Sequence, residues 1–222
     1  MDIFDLLDAA RIHTNVLEHP FYQRWNAGAL APQELSFYAG EYRHAVVALA
    51  DASQLAATKA GPEHAATLNR HAAEEVSHIE LWDDFARAVG AEGLGVEGLG
   101  PEGLGREPLA QTRECAVSWT AGADLLEHLA VLYTVEASQP AISTTKLHGL
   151  RTHYGVAEDS TGLDYFKLHA TLDVEHARQA RGLISELAED SDVERMLARA
   201  EAALRGNWTL LDGVEERRLV TA

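Results

Sequence analysis

Tyr165-Phe166-Lys167-Leu168-His169-Ala170-Thr171-Leu172-Asp173-Val174-Glu175-His176 is the stretch whose reading decides the fold. It lies in a proline-free segment whose apolar residues recur at three- and four-residue steps, the period of an amphipathic helix. At 3.6 residues per turn, His169, Asp173 and His176 stand at relative angles of roughly 0°, 40° and −20°, so all three project from one face. Two imidazoles and a carboxylate on one face suit a borderline metal such as iron or manganese. A helix cannot enclose an ion alone, so the reading calls for further helices that present ligands of their own.

The rest of the chain supplies them. Strict apolar–polar alternation is absent, and the helical period predicts helices over roughly Asp2 to Val16, Pro32 to Lys59, Glu63 to Val89, a short one through Cys115 and Trp119, Ala123 to His153 with a kink at Pro140, Leu163 to Glu189, and Val193 to Leu211. His19-Pro20 reads as a turn, and Gly61-Pro62 as a break. Six to seven helices with short connections make an all-α bundle, in a single domain spanning residues 1–222. Glu-Gly-Leu-Gly occurs three times between Glu92 and Gly105, a glycine density no helix survives, so a Gly-rich loop is expected at about 91–107.

Charge narrows the partners. The 222 residues carry 18 Lys and Arg against 35 Asp and Glu, a formal charge of −17, with no basic patch or stripe. Nucleic acid and anionic membrane surfaces are therefore excluded as main ligands. The single cysteine forms no internal disulfide, and the first ten residues hold three aspartates where a secretion signal needs positive charge. Charge interrupts every apolar window well short of a membrane span. The expectation is a reduced, cytoplasmic protein.

Glu74-Glu75-Val76-Ser77-His78 places His78 three residues after Glu75 and four after Glu74. Glu-x-x-His on a helix is the repeated half-site of dimetal carboxylate bundles. Glu136 is a lone carboxylate in the apolar run Leu132-Tyr133-Thr134-Val135-Glu136-Ala137, where it must be neutralised or paired, and a metal is a natural partner. Glu75 or Glu74, His78, Glu136, His169, Asp173 and His176 thus make a dinuclear set, unlike a cysteine-rich, four-coordinate structural zinc site. Glu41 and His44 share helical spacing and read as supporting or substrate-facing groups. His71 reads as a bystander near the cluster. His13, His19, His64, His128, His148 and His153 show no paired spacing and read as surface or cap residues.

From His19-Pro20-Phe21-Tyr22-Gln23-Arg24-Trp25 through Glu74 and Trp82 to Arg178, these residues resemble the heme-oxygenase-like dimetal oxidases, relatives of thiaminase II and of pyrroloquinoline-quinone synthase. The resemblance implies a heme-oxygenase-like helical bundle holding two metal ions, Fe/Fe or Fe/Mn, that act on O₂ with an external reductant. It also implies a homodimer. By resemblance His169, Asp173, His176, Glu136 and His78 are ligands; Glu75 fits one branch of the family and Glu74 another. The likeness is strongest to the branch of the chlamydial death-domain-associating protein, which makes para-aminobenzoate by consuming its own side chains. Tyr22 matches the tyrosine that supplies the ring, Lys146, ten residues after Glu136, matches the lysine that supplies nitrogen, and Tyr165 matches a third tyrosine near the site. Val135 departs from a tyrosine in that branch. Other outcomes of the same scaffold are oxygenation or oxidative decarboxylation of an external amino-acid-like small molecule, and thiaminase-like hydrolysis. The last needs a nucleophilic cysteine beside Glu136, where this chain has Tyr133, Thr134 and Val135. A non-enzymatic helical interaction module is the reading from another class.

Overall fold

The computed structural model describes residues 2–91 and 107–221, with side chains described to residue 217. The Glu-Gly-Leu-Gly repeat lies outside the described residues. Among the described residues ten α-helices run in order: α1 Ile3–His13, α2 Pro20–Asn26, α3 Pro32–Lys59, α4 Pro62–Ala88, α5 Ala110–Thr120, α6 Leu125–Glu136, α7 Gln139–Thr152, α8 Asp164–His169, α9 Leu172–Leu187 and α10 Val193–Thr221. Among the described residues there is no strand.

Prolines explain two of the three places where this differs from the expected six to seven helices. Pro20 is not a turn but the first residue of α2, where its missing N–H would have no partner anyway. Pro140 does not kink a long helix; a turn at Ala137–Ser138 ends α6 there, and Pro140 falls in the first turn of α7. The segment around His169 is likewise two helices, broken at Ala170–Thr171. Pro32 and Pro62 open α3 and α4 as expected.

α3 is the spine, packing along α4, α5 and α6; α10 closes the far side against α5, α6 and α1, and α9 lies on α6. One core is aromatic and includes Phe21, Tyr22, Trp25, Tyr38, Tyr42, Trp82, Phe85, Trp119, Tyr165 and Phe166. A second, mainly aliphatic core joins α1, α6, α9 and α10 through Leu7, Leu129, Ile184 and Met196. Buried indoles find acceptors across helices, with Trp82 Nε1 donating to the Ala39 carbonyl at 2.8 Å and Trp119 Nε1 to that of Ala203 at 3.0 Å. Gly149 of α7 faces Trp25, and a Cβ there would collide with the indole. The small residue brings α7, and with it Lys146, against α2.

α2 is fixed by His19. Its Nδ1 accepts the Phe21 N–H at 3.1 Å as helix cap, and its Nε2 lies 3.1 Å from Asp212 Oδ1 on α10. Nδ1 can accept only when unprotonated, and burial lowers the His19 pKa from 6.5 despite Asp212. The folded pKa lies below the unfolded one, so this contribution is complete above about pH 6.5 and is lost as pH falls through the folded value. His19→Ala is expected to cost about 1 kcal/mol near neutral pH, the usual worth of a cap. The gap to wild type should narrow towards about pH 5 in urea unfolding of metal-free protein. A gap that stays constant with pH would rule out the neutral-imidazole cap.

Candidate dimetal centre

Three helical segments converge between the two cores. α4 presents His71, Glu75 and His78, spaced by four and three residues on one face; α6 presents Glu136 from its last position; α8 and α9 present His169, Asp173 and His176. All seven are buried, and Glu136, His169 and Asp173 are fully so.

They form two groups of donor atoms that share Glu75. In one, His71, Glu75, Glu136 and His176 bring ligand atoms within 4.8 Å of one another; in the other, Glu75, His78 and His169 do the same. Glu75 Oε1 lies 3.2 Å from His78 Nδ1, 3.4 Å from His176 Nδ1 and 3.9 Å from His71 Nε2. His71 Nε2 comes within 2.8 Å of Glu136 Oε1 without the alignment of a hydrogen bond. Seven buried atoms are thereby left without a hydrogen-bond partner: Glu75 Oε1, both Glu136 oxygens, His71 Nε2, His78 Nδ1, His169 Nε2 and His176 Nδ1. Unmade hydrogen bonds of buried polar atoms cost about 1–3 kcal/mol each, so seven that converge on one place indicate a cation as their common partner.

Charge points the same way. Among the described residues no lysine or arginine pairs with Glu75 or Glu136. Burial pushes the Glu136 carboxyl up, only partly offset by His71. Burial also opposes ionisation of Glu75, but the His176 and His78 imidazoles beside it hold its carboxyl well below the usual range. Burial opposes charge on His176 too, yet Asp173, Glu75 and Glu136 raise its pKa far above the ordinary value. A proton on His176 thus supplies charge that a metal ion would replace. The donors are nitrogen and oxygen with no thiolate, a set that iron and manganese accept.

Two outer carboxylates orient the imidazoles. Asp173 places both oxygens against His169 Nδ1, at 2.8 and 2.9 Å, which turns His169 Nε2 inward. Glu74, on the half-exposed rim, lies 3.1 Å from His176 Nε2, which leaves Nδ1 to the cluster. Such contacts fix the tautomer and aim of a ligating histidine. Asp173, expected from the sequence as a ligand, therefore stands behind His169 and outside both donor groups. Of the two candidates on α4, Glu75 occupies the cluster and Glu74 backs a histidine.

Other expectations need correction. His71 is no bystander but a member of the first donor group; its i, i+4, i+7 relation to Glu75 and His78 was the available signal. Glu41 is not in the site: its Oε2 accepts from Thr112 Oγ1 and, at 3.0 Å, from the Leu109 N–H, tying α3 to the start of α5. His44 is half-buried, and burial lowers its pKa. His128 is fully buried rather than on the surface, pressed against Gly122. Cys115 is buried on α5 and its thiol is pushed up by burial, which leaves it unfit as a nucleophile.

Lys146 and Tyr22, 124 residues apart in sequence, meet beside the cluster. The Lys146 Nζ sits in a closed aromatic cage, 4.5 Å from the Tyr42 ring centre, 5.3 Å from those of Tyr38, Trp82 and Phe166, and 5.6 Å from that of Tyr22. The Tyr22 and Tyr38 hydroxyls are 3.3 Å apart. Burial lowers the Lys146 pKa well below its ordinary value. Tyr165 completes the link, its ring 4.2 Å from that of His169 and 4.9 Å from that of Trp82. The sequence points to Tyr22, Lys146 and Tyr165 as site residues but gives Tyr38, Tyr42 and Trp82 no role there; the i, i+4 tyrosines of α3 look like ordinary core residues until the cage is seen.

Comparison with known proteins agrees. A family model described as an iron-containing redox enzyme matches residues 36–208. The chain is 28% identical over 221 residues to a 4-aminobenzoate synthase of Chlamydia muridarum, covering 97% of this chain and 91% of the relative. It is 26% identical over 219 residues to a 4-aminobenzoate synthase of Nitrosomonas europaea, covering 91% and 86%. Among solved structures, a domain with a heme oxygenase-like fold from Shewanella denitrificans superposes with a TM-score of 0.81 at 19% identity, over 100% of this chain and 96% of that one. A TenA homologue from P. horikoshii gives 0.73 at 18% identity, over 96% and 98%. No helix among the described residues is long and apolar enough to cross a membrane. The chain belongs to the iron-containing redox enzyme family, as an oxidoreductase built on a heme oxygenase-like helical fold.

Proposed function

We propose that this oxidoreductase is a non-heme dimetal oxygenase, diiron or iron–manganese, that assembles para-aminobenzoate from its own Tyr22 and Lys146. The observation that carries the reading is the cage: a buried amine and a buried phenol enclosed together next to a buried His/Glu cluster. Two relatives named 4-aminobenzoate synthase add support.

Two bound metal ions would supply the reduction of dioxygen, with electrons from an external reductant. His71, Glu136 and His176 would hold one ion and His78 and His169 the other, with Glu75 between them. The chain's own residues do the rest. Asp173 and Glu74 hold two imidazoles in the ligating tautomer. The aromatic walls exclude water from the reacting side chains. Burial disfavours the charge on the Lys146 amine, which makes its lone pair more readily available for bond formation. The Tyr22 hydroxyl is held against that of Tyr38, which fixes the ring beside the amine.

Iron-loaded protein given reductant and dioxygen, with no added substrate, is expected to release para-aminobenzoate in no more than one equivalent per chain, read by mass spectrometry. Isotope-labelled tyrosine and lysine in the protein should appear in the product ring and nitrogen, and Tyr22→Phe should abolish release. Unlimited turnover of an external small molecule by Tyr22→Phe would overturn the reading in favour of an ordinary oxygenase.

A further inference from the structure

The rings between the cluster and the cage form one connected series. Tyr165 meets His169 on one side and Trp82 on the other; Trp82 meets Tyr42 at 5.2 Å and Tyr38 at 6.1 Å; Tyr38 and Tyr42 are 5.3 Å apart, and the Tyr38 hydroxyl reaches that of Tyr22. Among the described residues no ring contact joins Tyr165 directly to Tyr22, Tyr38 or Tyr42. Trp82 is the ring that touches both sides. Phe85 and Phe166 flank it at 5.0 and 5.8 Å, but phenylalanine is much harder to oxidise than tryptophan or tyrosine. Trp82 is thus the oxidisable ring in contact with both Tyr165 and the Tyr38–Tyr42 pair, while Trp25 lies beyond them against Tyr22 and Tyr38.

On the reading that Tyr22 is consumed, we propose that Trp82 is the one-electron relay through which Tyr22 is oxidised. One electron leaves Tyr22, passes through Tyr38 or Tyr42 to Trp82, and goes on by Tyr165 to the cluster, where dioxygen is the terminal oxidant. The Tyr22 hydroxyl proton goes to the Lys146 amine in the same cage, leaving a neutral phenoxyl radical at Tyr22 and an ammonium at Lys146 that gives up this proton again before its nitrogen forms a bond. Trp82 and the other relay rings each give up and regain one electron and end unchanged.

Local hydrogen bonds set the direction of the chain of transfers. The Trp82 N–H faces the Ala39 carbonyl, which accepts a hydrogen bond but does not keep a proton. Oxidised Trp82 therefore stays a cation in a fully buried apolar site, an unfavourable resting place that takes an electron back at once. Tyr22 shares its cage with an amine that can take the phenolic proton. The oxidising equivalent comes to rest where a proton can leave.

The test is rapid-freeze EPR of iron-loaded protein mixed with reductant and dioxygen, with the Tyr22 signal assigned by ring deuteration and by its loss in Tyr22→Phe. In Trp82→Phe the rate at which that radical forms should fall at least about tenfold, since a barrier increase of only about 1.4 kcal/mol gives that factor. Metal content should be unchanged, and Trp82→Tyr should restore much of the rate. Where losing the indole N–H harms folding, a highly fluorinated tryptophan placed at position 82 keeps shape and N–H while resisting oxidation, and it should slow the radical likewise. A Tyr22 radical that forms at the wild-type rate in folded Trp82→Phe or in the fluorinated protein overturns the relay and leaves the consumption of Tyr22 standing. A wild-type protein that makes para-aminobenzoate with no Tyr22 radical also overturns the relay, and one that makes neither overturns both readings.

Discussion

On the proposed dimetal reading, Glu75→Gln is expected to cost the protein both metal ions, with each affinity falling by at least about 100-fold, the upper end of what losing an outer-sphere partner costs. Glu75 is the one side chain common to the two donor groups, and its Oε1 faces His78, His176 and His71 at once. The amide keeps the size but removes the charge, and its NH₂ end would meet imidazole nitrogens that need a cation. The remaining donors of the His78 group would be two imidazoles with no anion among them. His78→Ala should weaken mainly one ion, and Glu74→Gln, which only loosens the aim of His176, should cost about tenfold. Metal analysis after anaerobic iron reconstitution, with ferrous titration of each variant, separates these outcomes. Two ions retained by Glu75→Gln at wild-type affinity would mean that the shared carboxylate is not a ligand.

The prediction depends on how the cluster is put together, and that was only partly legible in the sequence. Periodicity revealed most helices because their apolar faces must be buried, and α3 was placed to the residue by Pro32 at its start and Gly61-Pro62 beyond its end. The same proline signal at Pro20 suggests a turn from sequence alone, since a seven-residue helix has too few turns to show a period. Glu136 stood out because a lone carboxylate in an apolar run has no local partner. The His169, Asp173 and His176 spacing assumes an unbroken helix, yet the chain breaks at Ala170–Thr171 and the Asp173 side chain turns to His169. Spacing predicts which side chains share a face; it does not say which of them points at an ion and which at a neighbour. In this geometry Asp173 lies against His169 and outside both donor groups, Glu74 lies against His176, and His71 falls inside one group. Glu74 and Glu75 differ by one residue, or about 100° around α4, and only the packing of α9 decides between them.

Lys146→Met is expected to stabilise the metal-free fold while removing the amine that the proposed synthesis needs. Two effects compete over the charge of Lys146. Ring faces attract an ammonium, by about 2 kcal/mol at a desolvated site, but only Tyr42 stands close, and the other four rings lie near the outer limit of about 6 Å. Removing an ammonium from water costs several kcal/mol even after relaxation, and no described carboxylate pairs with it. Burial wins, and the folded pKa lies well below the unfolded value of 10.5. Between those two values the unfolded chain binds one proton more than the folded one. Stability therefore rises with pH by up to about 1.4 kcal/mol per unit and levels off near the unfolded pKa. Methionine has similar length, suits an aromatic wall and does not titrate, so the variant should be more stable at neutral pH, with an advantage that shrinks steadily up to about pH 9. Urea unfolding of both proteins across that range measures the difference, in which the buried tyrosines common to both cancel. Parallel pH profiles, or a variant less stable than wild type, would mean that the cage holds an ammonium and that Lys146 is no nucleophile. The predicted result instead makes Lys146 a residue that weakens the fold in its resting state, the expected mark of a side chain kept for its chemistry.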